Sequence, residues 1–195
     1  GTTYLARDTV ADRPVVIKEL SYNRLEEWKT EDLFRREIRV LCELDHPRIP
    51  AYLDDFPLGR GRRLRHYLVQ QYLKGESLRD ELAHHRYDEL EVLGVLDQVL
   101  QVLEYLQSLR PPLIHRDLKP SNLLRLADGT IAVIDFGAVR DLVAPRGDNP
   151  TVAGTFGFMA PEQFQGEASL QTDLYALGAV ALNLLTRTAP DRLLG

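Results

Sequence analysis

The sequence LLRLADGTIAVIDF occupies residues Leu123 to Phe136 and predicts a β-hairpin. Two apolar runs flank Asp128-Gly129, a dipeptide typical of a two-residue hairpin turn. A turn centred on this dipeptide would place Asn122, just before the first strand, opposite Asp135, just after the second. We therefore expect an amide oxygen and a carboxylate oxygen to meet at one end of the hairpin.

Asn122 and Asp135 carry the kind of oxygen atoms that bind hard cations. Mg²⁺ takes one or two protein oxygens and completes its coordination with water and phosphate oxygens. The pair therefore predicts a metal–nucleotide site. For an arbitrary Asn and Asp, capping of the hairpin would be the more common role. The neighbouring residues decide between these alternatives.

Those neighbours resemble two signatures of the protein kinase family. The run His115-Arg116-Asp117-Leu118-Lys119-Pro120-Ser121-Asn122 resembles the catalytic loop, and Asp135-Phe136-Gly137 resembles the metal-binding triplet. The resemblance implies that Asp117 accepts the proton of the substrate hydroxyl and that Lys119 contacts the transferred phosphate. It assigns the Mg²⁺ ions to Asn122 and Asp135. A lysine at position 119 is typical of the serine/threonine type.

Val15-Val16-Ile17-Lys18 resembles the third-strand signature of the family, whose lysine binds the α- and β-phosphates of ATP. Glu37 falls inside the apolar stripe of a helix predicted over Thr30 to Leu44, where a carboxylate is costly unless it is paired. Lys18 lies on the same strand face as Val16 and Leu20, so burying its charge would also be costly in free energy unless it is paired. We predict that Lys18 and Glu37 pair and so position Lys18 for the nucleotide.

Three further residues are assigned to the nucleotide by the same resemblance. Gly1 resembles the last glycine of the phosphate-covering loop. Gln71 to Leu73 fall where the backbone of the family's hinge binds adenine, so Gln71 and Leu73 are predicted contacts. For Gln71 the alternative is an ordinary strand end.

The segment Ala138 to Phe158 is polar, contains Pro145 and Pro150, and is predicted to be a loop. It is followed by Met159-Ala160-Pro161-Glu162, and together they resemble the activation loop and its anchor. The resemblance implies that Thr155 bonds the catalytic aspartate and lysine. It makes Thr151 the predicted phosphosite, with Arg116 as the charged partner of the phosphate.

Lys74-Gly75-Glu76-Ser77 ends the strand-rich part of the chain and marks a predicted boundary. The expected fold is α+β and two-lobed, similar to protein kinases, and incomplete at both ends. Residues 1–73 would form a partial N-terminal lobe, an antiparallel sheet with one helix, lacking the first strand and the start of the glycine-rich loop. Residues 74–195 would form a partial, mainly helical C-terminal lobe without its last helices.

Two helices of the second lobe are predicted to be deeply buried. Leu and Val recur every three or four residues from Glu89 to Leu109, which predicts a helix buried on several sides. Asp173 resembles the aspartate that begins the family's large central helix. The apolar run Leu174 to Leu185 is too short for the roughly 20 residues of a membrane span, and it predicts a buried core helix.

Composition narrows the class of protein further. The chain has 195 residues, 44% of them hydrophobic, and a net charge of -5. This charge gives no basic surface for nucleic acid, which is excluded as a partner. The single Cys42 cannot form an internal disulfide, so a cytoplasmic setting is expected. No membrane segment is predicted.

The resemblance extends from Gly1 to about Thr186. It implies a serine/threonine protein kinase that transfers the γ-phosphate of ATP to protein Ser/Thr hydroxyls, with self-association for autophosphorylation in the activation loop. The Pro-Glu-Gln after Ala160 resembles bacterial members. The alternatives are a pseudokinase, which usually lacks one of the six polar residues found here, and a small-molecule or lipid kinase, disfavoured by Ala160-Pro161-Glu162. The six residues are Lys18, Glu37, Asp117, Lys119, Asn122 and Asp135.

Overall fold

The computed structural model of the protein describes residues 2–20, 38, 41–59, 64–136, 140–141 and 154–193. The chain forms two compact units, residues 1–73 and residues 74–195. The first contains an antiparallel sheet and the second is mainly helical, which confirms the predicted α+β class.

The first unit is built on a four-stranded sheet. Its strands are β1 (Thr3–Asp8), β2 (Arg13–Leu20), β3 (Tyr52–Leu58) and β4 (Arg65–Gln71), in the order β1-β2-β4-β3. All neighbouring strands are antiparallel, and β1 with β2 and β3 with β4 pair in chain order. Lys18 in β2 lies opposite Thr3 of β1 and Leu68 of β4.

A short helical stretch accompanies the sheet. Ile38 and residues 41–43 are helical, and the side chains of Ile38 and Leu41 are buried. The helix predicted over Thr30 to Leu44 lies mostly outside the described residues.

The second unit combines short strands with two long helices. Its elements are β5 (Gly75–Ser77), α1 (Leu78–Glu81), α2 (Glu89–Ser108), β6 (Leu113–Ile114), β7 (Leu123–Leu126), β8 (Ile131–Val133), β9 (Arg140–Asp141) and α3 (Leu170–Thr186). Strands β5, β7 and β8 form one sheet, and β6 pairs with β9. Short 3₁₀ helices cover Pro120–Asn122, Pro161–Gln165 and Pro190–Arg192.

The long helix α2 begins at a reciprocal cap. Asp88 accepts a hydrogen bond from the backbone of Glu91, whose carboxylate accepts one from the backbone of Asp88. The prediction of burial on several sides was wrong. The valine stripe and the residues beside it are buried, whereas Leu93 and Leu100 are 59% and 43% exposed, since helical periodicity turns them away from the buried stripe.

Helix α3 contains the apolar run of the sequence. Ala176, Leu177, Val180 and Leu184 are buried, but Leu174 and Leu182 are exposed. The run therefore forms a core helix, as predicted, that is buried on one face. In the described part of the chain, every helix is too short or too polar to cross a membrane.

The hairpin of β7 and β8 differs from its prediction by one position. Leu124 pairs with Ala132 and Arg125 with Ile131, so the loop has three residues, Ala127 to Gly129. Gly129 takes a φ of +85°, which a glycine adopts readily, and its amide donates to the Leu126 carbonyl.

The predicted pairing of Asn122 with Asp135 was therefore wrong. The Ile134 amide donates to the Asn122 carbonyl at 2.9 Å, and Asp135 is the next residue. The three-residue loop shifts the register by one position, because a glycine in this conformation closes it with a bulge. Both residues still lie at the same end of the hairpin.

Candidate active site

Asp117 lies at the centre of a compact polar cluster. Its Oδ1 accepts a hydrogen bond from the Thr155 hydroxyl at 2.8 Å, and its Oδ2 accepts one from Lys119 Nζ at 2.8 Å. The same ammonium group donates to the Thr155 hydroxyl at 2.7 Å. The three polar groups therefore form a closed triangle. The Asp117 side chain is 16% exposed.

Asn122 joins this cluster through its amide nitrogen. The side chain is buried, and Nδ2 donates to the Asp117 carbonyl at 2.8 Å and to Asp117 Oδ2 at 3.2 Å. These bonds determine which end of the amide is the oxygen. Oδ1 has a long contact of 3.4 Å from the Ser121 hydroxyl, which leaves it capacity to coordinate a cation.

Asp135 follows the hairpin end in a left-handed conformation, with a φ of +68°, and its side chain is half-buried. Asn122 and Asp135 thus offer an amide oxygen and a carboxylate from one end of the hairpin. In the described parts of the chain, no group of three or more His, Cys, Asp or Glu could hold a metal. A cation bound by this pair would need phosphate and water to complete its coordination, which fits Mg²⁺.

The backbone that carries Asp117 is held by Asp173 in the first turn of α3. The buried Asp173 carboxylate accepts hydrogen bonds from the amides of His115 and Arg116, both at 2.8 Å. Burial raises the pKa of Asp173, against the opposing effects of His115 and the two amides. Arg116 has a φ of +69°, an unusual conformation that the surrounding contacts must maintain.

His115 braces the same loop from inside. The side chain is fully buried, and its ring packs edge-on against Phe136 at a centroid distance of 4.8 Å. Burial lowers the pKa of His115, which favours the neutral imidazole. The Nδ1 atom accepts a hydrogen bond from the Asp117 amide at 3.3 Å.

Gln163 was not singled out from the sequence. It is completely buried, donates through Nε2 to the Arg116 carbonyl at 2.8 Å, and accepts through Oε1 from the Ala160 amide at 2.9 Å. A signal was present, because Gln163 is the third residue of a short helix with Pro161 at its start, and glutamine there can bond back to the helix cap.

The remaining predicted residues belong to the first unit or are not among the described residues. In the first unit, Lys18 and Leu73 are half-buried, and Gln71 ends β4. The Gln71 side chain accepts from the Ala51 amide at 3.3 Å, as expected of a strand end. Gly1, Glu37 and Thr151 lie outside the described residues.

Comparison with known proteins gives one family over nearly the whole chain. The protein kinase domain matches residues 1–192. Serine/threonine-protein kinase PAK 1 of Mus musculus is 32% identical over 97% of this chain and 33% of its own length. Serine/threonine-protein kinase PknA of a Nostoc species is 36% identical over 99% of this chain and 36% of its own.

A third relative, serine/threonine-protein kinase PrkC of Bacillus subtilis, is 33% identical over 97% of this chain and 29% of its own length. The chain thus spans about a third of the length of these curated relatives.

Proposed function

The chain belongs to the protein kinase domain family, and on that premise we propose that its protein is a serine/threonine protein kinase that transfers the γ-phosphate of ATP to protein hydroxyls. The observation that carries this proposal is the triangle of Asp117, Lys119 and Thr155. It combines a carboxylate that can accept a proton with a cation beside it. In phosphoryl transfer to a hydroxyl, a carboxylate can accept the proton of the hydroxyl and a positive charge can stabilise the transferred phosphate.

Asp117 is proposed to orient the attacking Ser or Thr hydroxyl and to accept its proton. A general base must lie within hydrogen-bonding reach of the proton that it removes, and the partly exposed Asp117 side chain supports that reach. Lys119 is proposed to contact the transferred phosphate while it stays bonded to Asp117. Thr155 would hold both groups in this arrangement, which supports positioning as the main source of rate enhancement.

Protein kinases use ATP and typically Mg²⁺. Asn122 and Asp135 are the residues proposed to hold the metal, and the orientation of the Asn122 amide supports this assignment. When bound, Mg²⁺ would offset the negative charge that develops on the phosphate oxygens. Residues 1–73 and 74–195 are proposed to be the two lobes of the kinase domain.

Further assignments come from the family. Lys18 paired with Glu37, together with Gly1, Gln71 and Leu73, is proposed to bind the nucleotide. Thr151 is proposed as a phosphosite modified by a second copy of the domain. A cytoplasmic setting is proposed because Cys42, the single cysteine of the chain, is free.

The proposal is tested by transfer of labelled γ-phosphate from Mg-ATP to a generic basic protein. The natural full-length protein would be compared with Asp117→Asn and with Asp97→Asn, the same change at an exposed position of α2. We expect transfer by the natural protein and by Asp97→Asn, and no transfer by Asp117→Asn. After chelation of Mg²⁺, none of the three proteins should transfer phosphate. A natural protein that binds ATP yet transfers nothing would favour the pseudokinase alternative.

A further inference from the structure

A buried primary amide joins two loops of the candidate active site. Gln163 is completely inaccessible, and both ends of its side-chain amide are used: Nε2 donates to the Arg116 carbonyl and Oε1 accepts from the Ala160 amide. A glutamine that satisfies both ends in a buried site has a defined orientation, because reversing it would leave a donor facing a donor.

The hydrogen bond from Gln163 holds the residue that immediately precedes Asp117 in the sequence. Arg116 has a φ of +69°, a region that non-glycine residues seldom occupy and that persists where the surroundings maintain it. Its amide is held by Asp173 and its carbonyl by Gln163, each at 2.8 Å. Both backbone polar groups of this residue are therefore held by side chains that follow it by more than 40 positions.

The same amide lies against the residue immediately before Thr155. A Cβ atom added to Gly154 would be 3.0 Å from Gln163 Nε2 and 3.1 Å from the Arg116 carbonyl oxygen. Gly154 has a φ of +131°, so glycine suits this position both by its conformation and by its size. Gln163 therefore contacts the backbone one residue before Asp117 and packs beside the backbone one residue before Thr155.

We infer that Gln163 is a positioning residue of the transfer site, which sets the placement of Asp117 relative to Thr155 by holding the backbone that precedes each. Its side chain donates to the Arg116 carbonyl and packs beside Gly154, and it acts through these two residues. The inference rests on the proposed function, because Asp117 and Thr155 take their importance from it. Displacing the Arg116 carbonyl would misplace the Asp117 carboxylate. Asn122 and Asp135, the proposed metal ligands, would keep their oxygen atoms.

The kinetic test compares Gln163→Glu, Gln163→Met and Gln165→Glu in the natural full-length protein. Gln163→Glu keeps an acceptor for the Ala160 amide and removes the donor to Arg116, whereas Gln163→Met removes both without introducing a charge. Gln165→Glu makes the same change at an exposed position of the same short helix.

For both Gln163 variants we expect kcat to fall by about 10- to 100-fold, the scale expected when a catalytic group is misplaced, while the KM for ATP stays unchanged. Gln165→Glu should match the natural protein. Retention of full kcat in Gln163→Met, or an equal loss in Gln165→Glu, would overturn the inference.

A second measurement separates this inference from the proposed function. Hydrogen exchange of the natural protein and of Gln163→Met, without nucleotide, should show faster exchange in residues 113–118 and 154–160 of the variant. Exchange in α2 should stay the same and would report that the variant is folded. Unchanged exchange in both loops would overturn the inference, whether or not the natural protein transfers phosphate.

Discussion

The hydroxyl of Thr155 donates a hydrogen bond to Oδ1 of Asp117 at 2.8 Å, although 38 positions separate the two residues in the sequence. Because Lys119 donates to the same hydroxyl, Thr155 is at once donor and acceptor. A hydroxyl is the side-chain group that can serve both roles in so little space.

Thr155→Val should lower the rate of phosphate transfer, since valine keeps the shape of threonine but removes the hydroxyl that orients Asp117 and Lys119. Loss of this positioning should cost about 10- to 100-fold in kcat. Steady-state kinetics with Mg-ATP would measure it. Thr155→Ser is the matched control and should retain most of the activity, because it keeps the hydroxyl. Equal rates for the two variants would contradict a role for the hydroxyl.

Stability should depend on pH through His115. Burial lowers the pKa of His115 below the value of 6.5 that the unfolded chain has, so the unfolded state binds a proton first as the pH falls. The free energy of unfolding should therefore decrease from pH 7 to pH 5, by at most about 1.4 kcal/mol per pH unit from this group. Urea titrations at several pH values would measure it.

The matched variants in that experiment are His115→Gln and His84→Gln. His115→Gln should flatten the decrease, because the depressed pKa is removed. His84 is exposed and hydrogen-bonded to Glu76, which raises the pKa of His84, so its contribution is present at low pH and is lost as the pH rises. His84→Gln should therefore steepen the decrease. A slope that His115→Gln leaves unchanged would contradict the assignment.

Substitution by alanine should have opposite effects on stability at Gly154 and Gly94. At Gly154 an added Cβ would lie 2.7 Å from Met159 Cγ, and the φ of +131° is unfavourable for alanine, so Gly154→Ala should destabilise the protein and reduce transfer. At Gly94, inside α2, the same Cβ would meet no atom within 4 Å. Gly94→Ala should raise the free energy of unfolding by about 0.5–1 kcal/mol. Thermal unfolding of both variants would measure the two effects on stability. A Gly154→Ala variant that is more stable than the natural protein would contradict the assignment of strain to this position.

A second polar cluster should contribute to stability rather than to catalysis. Glu81 is buried, and its two carboxylate oxygens share the single N–H of Arg125 Nε at 2.8 and 3.1 Å. The carboxylate also accepts a hydrogen bond from the Tyr87 hydroxyl. Arg125→Met would leave the Glu81 carboxylate buried without its cation. The free energy of unfolding should fall by about 1–3 kcal/mol.

The control for this cluster is Arg7→Met. It breaks the pair of Arg7 with Asp12, whose side chains are 66% and 75% exposed, and it should change stability by less than about 1 kcal/mol. Urea unfolding of both variants measures the difference. Equal effects would contradict the importance of burial.

Some of this architecture could be predicted because its signals are local. The strand that contains Lys18 follows from its resemblance to a strand signature, and helix α2 follows from its periodic leucines and valines. The hairpin before Asp135 was predicted correctly as a hairpin but with the wrong register. A two-residue and a three-residue loop around Asp128-Gly129 have nearly the same composition, and the conformation of Gly129 separates them.

By itself, the sequence determined the family, the α+β class and the chemical identity of Asp117, Lys119, Asn122 and Asp135, because their order and spacing along the chain carry that information. The resemblance implied the bond of Thr155 with Asp117, and the tertiary structure decided its geometry across 38 positions. The structure also added a contact that the resemblance did not include, from Gln163 to the Arg116 carbonyl, 47 positions apart. It also decided which faces of α2 and α3 are buried. Hydrogen bonds and packing between distant segments depend on where folding brings the backbone, and a local pattern of residues does not specify that position.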